Sequence, residues 1–208
     1  MIESTIEKFI DTIDNIYGVF LDGCRGFETS LNIFEKAQQN LIEQNKLAIK
    51  HNGNDSKKVY NLSIDDFNKS CFIYTKGTQG ESDHRILHYR KTQAEFKKRN
   101  SLNGTNYRFI GNMTLITIYA YWEHSCRNNI ANHHNVEPKK VASDIFGDLR
   151  WIRHSILHHN GIALPNVEKC KIFKWFRKND EIFINGDHIE EIVVTINKSK
   201  KSLYKIIA

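Results

Sequence analysis

The sequence predicts a mainly α-helical domain with a small C-terminal β-hairpin. Apolar residues recur with the helical period over most of the 208 residues. Only two prolines, Pro138 and Pro165, occur in the chain. After Pro165 the pattern changes to the alternation that is typical of strands. The length suits one domain with a proper core, and no linker stretch divides it, so we expect a single domain over residues 1–208.

Composition and charge narrow the class of protein. The chain is 40% hydrophobic and 26% charged, as in ordinary globular proteins. Four widely spaced cysteines favour reduced thiols in a cytosolic protein over a disulfide framework. The N-terminus resembles no secretory signal, and no apolar run approaches the ~20 residues that span a bilayer, so we expect a cytoplasmic protein without membrane contact. A net charge of +6 favours an anionic partner such as RNA.

The first 83 residues predict two helical regions and two polar loops. An amphipathic pattern over residues 6–50 predicts either one helix kinked near Gly23 and Gly26 or two consecutive helices. Turn-forming residues place loops at 51–56 and 76–82. Between them, the capping pattern Ser63-x-x-Asp66 predicts a helix start, with Cys71 and Phe72 on the face that follows.

Residues 84–100 predict a basic helix. It carries six lysine or arginine residues with interleaved aromatic side chains: Arg85, Tyr89, Arg90, Lys91, Phe96, Lys97, Lys98 and Arg99. Cations beside aromatics suit the backbone and the bases of single-stranded RNA. A solvated face anchored by two aromatic rings explains the same pattern equally well. From this segment we take Arg90, Lys97 and Lys98 as candidate RNA-binding residues.

The C-terminal half predicts three helices around the hairpin. A central helix covers 112–131, and Pro138 suits the first turn of the next helix. Alternation over 170–176 and 182–184 predicts the β-hairpin, and a helical period returns over 188–207.

The densest chemistry lies in residues 148–161. This stretch holds two arginines, three histidines and a tryptophan, and it ends on Asn160-Gly161, the expected stop of a helix. Its apolar positions follow a helical period, whereas Arg150, His154 and His158 form a stripe about half a turn away. One face of this helix can therefore join a core while the other presents cationic and titratable groups.

The motif argues against a metal site. His154 and His158 share one helical face, as in metalloprotease helices, but Ser155 follows where those enzymes need glutamate. Arg150 and Arg153 beside the pair would repel a dication. No cysteine or serine nucleophile signature and no glycine-rich phosphate loop occurs, so we expect neither metal nor cofactor. Metal-independent RNA cleavage remains, because histidine supplies an acid or base and arginine stabilises the phosphorane charge.

Arg153-His154-Ser155-Ile156-Leu157-His158 has the form arginine, polar residue, further residues, histidine. It resembles the signature of HEPN domains (higher eukaryotes and prokaryotes nucleotide-binding), an all-helical superfamily with many metal-independent ribonucleases. Together with the flanks Leu149-Arg150 and His159-Asn160-Gly161, the motif looks like the pattern Leu-Arg-x-x-Arg-Asn-x-x-x-His-Asn-x-Gly of several HEPN branches. His154 replaces the commoner asparagine, and His159 replaces the asparagine after the motif histidine. The resemblance covers 149–161 closely and 111–207 loosely.

The resemblance implies a HEPN-like antiparallel helical bundle with core region 111–207. It further implies an endoribonuclease of the toxin or abortive-infection type in a bacterial defence system, with a possible antitoxin or regulatory partner. Arg153 would hold the scissile phosphate, His158 would act as acid or base, and His154 would support them. A non-catalytic HEPN-like module that binds RNA, a nucleotide or a protein is the alternative. The basic residues of the motif also have a purely structural explanation, because cations near the C-terminus of a helix complement the helix dipole.

The resemblance also implies a homodimer in which motif residues of both protomers line one cleft. On an ideal helix Arg153 and His158 are about 140° apart, too divergent for one phosphate. Either the helix loosens before Gly161, or a two-fold axis brings the partner's residues across. We expect Arg150, His159 and Asn160 to contact the RNA. Arg153 falls towards the apolar flank and needs a carboxylate, for which we take Glu123.

Overall fold

The computed structural model describes residues 2–51, 61–78 and 80–207, without the side chains of His51, His88 and Tyr89. The loop predicted at 51–56 therefore lies outside the described residues, apart from the backbone of His51. The chain forms two compact units: unit 1 consists of residues 1–24 and 108–208, and unit 2 of residues 25–107. Both boundaries fall inside helices, which explains why the sequence shows no linker there.

The N-terminal helix α1 is one continuous helix over Ile2–His51, so the first of the two alternatives holds. Its apolar stripe contributes Ile6, Phe9, Ile13 and Phe20 to the core of unit 1. No helix in the described part of the chain is both long and apolar enough to cross a membrane.

Unit 2 corrects the prediction of a basic helix. After α2 (Ile64–Lys69), β1 (Cys71–Lys76) pairs antiparallel with β2 (Arg85–Thr92), and only α3 (Gln93–Asn100) is helical. The capping box at the start of α2 is confirmed, but Cys71 and Phe72 lie in a strand. The strands form because Phe72 packs on Phe34 and Phe96, at centroid distances of 5.4 and 4.3 Å, so tertiary packing outweighs the local pattern.

Unit 1 confirms the mainly α-helical prediction. The central helix consists of α4 (Thr105–Tyr121), a π-helical turn (Trp122–Cys126) and α5 (Arg127–His133). The motif helix α6 (Asp144–His158) and α7 (Gly186–Lys198) complete the unit. Its largest fully buried side chains include Leu115, Ile118, Ile130, Leu149, Ile152, Phe173, Ile184, Ile189, Ile192 and Ile196.

Three predicted helix boundaries are wrong. The central helix begins at Thr105 instead of residue 112. Pro138 begins a short 3₁₀ turn (Pro138–Lys140) instead of α6, which starts after Ser143. Between them β3 (Val141–Ala142) pairs with β4 (Lys205–Ile206), so the last helix ends at Lys198 instead of residue 207. Residues 141–142 and 205–206 are therefore not helical, because they pair with each other as two short strands.

The predicted β-hairpin over 170–184 does not form in the described chain. The only strand-type pairing of this segment in the described chain is an isolated bridge between Ile162 and Glu181. Phe173, Ile182 and Ile184 are nevertheless buried, so the alternation of apolar residues reflects burial of an irregular segment and not strand pairing. The N–H groups of residues 171–173 bind a side chain of α6 instead of a partner strand.

Candidate functional site

Asp148 fixes the inner face of α6 to the segment that follows it. Its carboxylate is buried and accepts hydrogen bonds from the backbone N–H groups of Lys171, Ile172 and Phe173, at 2.9, 2.7 and 3.0 Å. A buried carboxylate is stable only when it is satisfied in this way. The irregular segment therefore depends on Asp148 for its hydrogen bonds.

Ser155 and the residues after α6 end the helix where the sequence predicts. The N–H groups of His159 and Gly161 both donate to the Ser155 carbonyl, while Asn160 and Gly161 take positive φ angles of 51° and 77°. The buried Ser155 hydroxyl accepts a hydrogen bond from the Leu164 N–H at 3.1 Å. Ser155 thus has a structural role, and the last turn of α6 is held firmly in place.

Three histidines cluster on the outer side of this end of α6. The ring of His154 lies 4.9 Å from that of His158 and 5.5 Å from that of His159, measured between centroids. His158 and His159 are exposed, and His154 is half-buried. Burial lowers the pKa of His154, and the charges of its two histidine neighbours and of the motif arginines lower it further. His154 is therefore held as a neutral imidazole near neutral pH.

Arg153 lies against an aromatic ring instead of a carboxylate. Its guanidinium carbon is 5.2 Å from the Tyr119 ring centroid, and its Nε is buried with no hydrogen-bond partner in the described chain. The Tyr119 hydroxyl donates to Glu123 Oε1 at 2.9 Å. Burial and this contact raise the pKa of Tyr119 to about 12, so the phenol stays protonated.

Glu123 therefore reaches Arg153 only through Tyr119. The expected ion pair between Arg153 and Glu123 is not among those formed by the described residues. Glu123 lies in the π-helical turn, while Arg127 beyond the turn donates to the Val141 carbonyl at 3.0 Å. Arg153 therefore makes a cation–π contact with Tyr119 and no ion pair with any carboxylate of the described residues.

The remaining outer positions of α6 are open. Arg150 is exposed and lies over the Trp151 ring at 5.6 Å. A Cβ atom added to Gly147 would meet nothing within 4 Å, and Gly147 points to the same side of α6 as His154. This side of α6 is thus accessible and carries cationic and titratable groups. Asn160, the other predicted contact residue beside His159, is exposed in the turn that follows.

The helix does not loosen within the motif. α6 is α-helical from Asp144 to His158, so the directions of Arg153 and His158 diverge by about 140°. The helix therefore does not bring the two side chains to one side of α6.

The basic residues predicted from segment 84–100 do not share one surface. Lys97 Nζ donates to Gln38 Oε1 at 3.3 Å, whereas Lys98 is exposed. Arg90 stands opposite Ile73 in the hairpin register, and Lys91 stands opposite Phe72. Because neighbouring strand residues point to opposite faces, Arg90 faces away from the side that Lys91 shares with Phe72. All of these residues belong to unit 2.

Metal-ligating groups do not converge in the described part of the chain, where no three His, Cys, Asp or Glu side chains are placed to hold an ion. Two cysteines of unit 1 are buried, and burial raises the pKa of Cys126 and of Cys170 to about 12 each. Both therefore remain protonated thiols, which are poor nucleophiles and poor ligands. The chemistry that α6 offers comes from imidazole and guanidinium groups.

Sequence reasoning missed Tyr119 and the function of Asp148. The spacing of four between Tyr119 and Glu123 is compatible with a contact on one helix, but nothing in the sequence links either residue to Arg153. Asp148 lies inside a helix, where an acidic residue ordinarily indicates a solvated position.

No protein-family model, curated protein or solved structure matches this chain.

Proposed function

We propose that this protein is a metal-independent endoribonuclease of the HEPN type, acting as a toxin or defence effector. The observation that carries the proposal is the histidine cluster at the end of α6 beside Arg153, which forms no ion pair with a carboxylate of the described residues. Imidazoles can supply the acid and the base, and a guanidinium the cation, for cleavage of a phosphodiester without a metal.

The reaction is transesterification within the RNA. A base takes the proton of the ribose 2′-hydroxyl, the 2′-oxygen attacks phosphorus, and the bond from phosphorus to the 5′-oxygen breaks. An acid returns a proton to that oxygen, which leaves a 2′,3′-cyclic phosphate and a 5′-hydroxyl. His158 is the acid or base, and Arg153 holds the phosphate as negative charge develops. His154 supports them as a neutral imidazole that can share a hydrogen bond with either group.

The proposed active form is a homodimer. Because α6 remains regular through His158, a two-fold axis that brings the partner's α6 alongside would place Arg153 of one protomer near His158 of the other. Gly147 supports this arrangement, since the absence of a side chain allows another chain to approach the outer side of α6 closely. Arg150, His159 and Asn160 would then contact the RNA beside the scissile bond.

The test is cleavage of single-stranded RNA by the full chain in EDTA. We expect fragments that end in 2′,3′-cyclic phosphate, and losses of at least about 100-fold for Arg153→Ala and for His158→Ala. His133→Ala is the matched control, because it removes an exposed histidine of the same unit outside the motif. Intact RNA, or equal cleavage by wild type and both motif variants, overturns the proposal. RNA binding without any product indicates the non-catalytic module instead.

Expression in bacteria provides the second test. Growth arrest by the wild type and normal growth with His158→Ala, at equal protein levels, are expected for a toxin. Equal growth of both strains contradicts the toxin assignment.

A further inference from the structure

Tyr119 provides a fixed platform for the guanidinium of Arg153. The guanidinium carbon lies 5.2 Å from the Tyr119 ring centroid, within the ~6 Å over which cation–π attraction acts. Tyr119 is only 3% exposed and belongs to the core of unit 1, so its ring is held by the residues packed around it. A cation that packs on a fixed ring is itself restricted in position. The core therefore sets the direction in which Arg153 points.

A second aromatic contact fixes the position of α6 along the central helix. Phe146 precedes Arg153 by about two turns on the same side of α6, and it stacks on Trp122 at a centroid distance of 4.1 Å and an interplanar angle of 6°. Both of these rings are buried. A shift of α6 that moved Arg153 off the Tyr119 ring would also disrupt the buried Phe146–Trp122 pair, which makes such a shift costly.

Glu123 orients the Tyr119 ring and polarises it. The Tyr119 hydroxyl donates to Glu123 Oε1 at 2.9 Å, and the two residues are four positions apart on the central helix. Because the acceptor is an anion, the hydrogen bond draws the phenol proton towards the carboxylate and enriches the ring in electron density. A richer ring attracts a cation more strongly. The carboxylate therefore acts on Arg153 without forming an ion pair with it.

This arrangement leaves one end of the guanidinium accessible to a ligand. Of the three guanidinium nitrogens of Arg153, only Nε is buried without a hydrogen-bond partner among the described residues, so the two Nη atoms form the accessible end of this half-buried side chain. The Nη pair is a fork of parallel donors that matches two oxygens of a phosphate. A direct ion pair with Glu123 would occupy donors of this fork, whereas contact with a ring face does not.

We propose that Tyr119 is the positioning residue of Arg153 and that Glu123 acts on Arg153 through the Tyr119 hydroxyl. The ring holds the guanidinium so that its Nη end meets the scissile phosphate. The role in cleavage rests on the proposed function, whereas the placement of the guanidinium does not. Tyr119 touches no substrate in this arrangement, and it affects the reaction only by fixing Arg153.

Single-turnover cleavage of RNA by the full chain tests the role in the reaction. Tyr119→Leu removes the ring, Tyr119→Phe loses only the hydroxyl, and Glu123→Gln removes the charge but keeps an acceptor. We expect the rate to fall about 100-fold for Tyr119→Leu, the scale for displacing a reacting group by about 1 Å. It should fall by about tenfold or less for Tyr119→Phe and Glu123→Gln, which keep the ring. Tyr121→Leu, at an exposed tyrosine of the same helix, is the matched control and should change the rate less than about twofold.

The same substitution in an Arg153→Ala background separates positioning from a loss of structure. If Tyr119 acts through Arg153, Tyr119→Leu should change cleavage less than about twofold in that background, because the group that it positions is already missing. A damaged core would lower cleavage equally in both backgrounds. Equal losses in the two backgrounds, a loss for Tyr119→Phe as large as that for Tyr119→Leu, or wild-type cleavage by Tyr119→Leu overturns the inference and leaves the proposed function standing.

The Nε–Hε signal of Arg153 in ¹⁵N NMR tests the placement without any cleavage. Arg153→Ala assigns the signal by its disappearance. We expect slow exchange with water and a ring-current shift of this proton in the wild type and in Tyr119→Phe, and neither in Tyr119→Leu. Rapid exchange in the wild type, or an unchanged signal in Tyr119→Leu, overturns the inference. A chain that shows the expected signals but never cleaves RNA contradicts the proposed function and supports the placement of Arg153 by Tyr119.

Discussion

The two units place functional groups in different ways. In unit 1 the candidate side chains are on a helix whose inner face is tied down by buried polar groups, Asp148 and Ser155. In unit 2 the residues predicted to bind RNA, Arg90, Lys97 and Lys98, are exposed or half-buried, and the polar contacts nearby are surface caps such as that of Thr92 and Glu95. The difference fits the roles predicted for the two sets of residues, because acid–base chemistry needs fixed geometry, whereas binding a polyanion needs mainly charge.

The largest expected effect tests whether residues of two chains together form the candidate site of unit 1. We expect Arg153→Ala and His158→Ala each to be inactive alone, whereas a mixed dimer of the two variants would contain one cleft with both residues intact. After co-refolding equal amounts, we expect about a quarter of the wild-type RNA cleavage: half of the dimers are mixed, and each has one of two sites. Activity no higher than that of the separate variants would show that each site is built within one chain.

The free energy of unfolding should depend more on a buried carboxylate of unit 1 than on a surface carboxylate of unit 2. Asp148→Ala leaves three backbone N–H groups without an acceptor, and we expect a loss of about 3 kcal/mol in the free energy of unfolding. Asp66→Ala, at the exposed capping box of α2, should cost about 1 kcal/mol or less. Urea unfolding of both variants measures the difference. Similar losses for the two would contradict the contrast between the units.

A smaller effect concerns pH and is confined to unit 1. Burial lowers the pKa of His188, whose Nδ1 accepts a hydrogen bond from the Asn185 N–H at the start of α7. The unfolded chain therefore binds a proton more readily than the folded one, so stability falls as pH drops through the unfolded pKa of about 6.5. We expect Tm to decrease between pH 7 and pH 5, and to decrease less in His188→Gln. Parallel curves for the two proteins would exclude His188 as the cause.

The smallest effect concerns Gly147. Its surroundings are open, so Gly147→Ala should raise the stability of the isolated chain by about 0.5–1 kcal/mol through helix propensity alone. A bulkier change, Gly147→Gln, should weaken self-association in sedimentation experiments if the outer side of α6 meets another chain. Unchanged association with Gly147→Gln would move the dimer contact elsewhere.

Local signals account for what the sequence predicts correctly. The period of α1, the caps of α2 and the stop at Asn160-Gly161 are each encoded within a few residues. The failures all depend on partners that are distant in sequence. Residues 85–92 become a strand because β1 pairs with them, and the alternation after Cys170 marks burial against unit 1's core.

The candidate site shows the same limit. The motif on α6 and its exposed side follow from the sequence, but the setting of Arg153 does not. Its aromatic neighbour Tyr119 is 34 positions earlier in the chain, and the carboxylate that we expected to pair with it binds that tyrosine instead. Helical spacing alone cannot reveal a contact between two helices.

The π-helical turn determines how the central helix would respond to the loss of a residue. Such a turn is wound wider than an α-helix, and it often marks the insertion of one residue into a regular helix. Deleting one residue between Trp122 and Cys126 would let the helix rewind as a regular α-helix, and Ile130 and Ala131 beyond it would stay on the core face. Deleting one residue from the regular part of the helix would instead turn every later position by about 100°. The central helix should therefore tolerate the loss of one residue inside the π-helical turn better than the loss of one residue in α4 or α5.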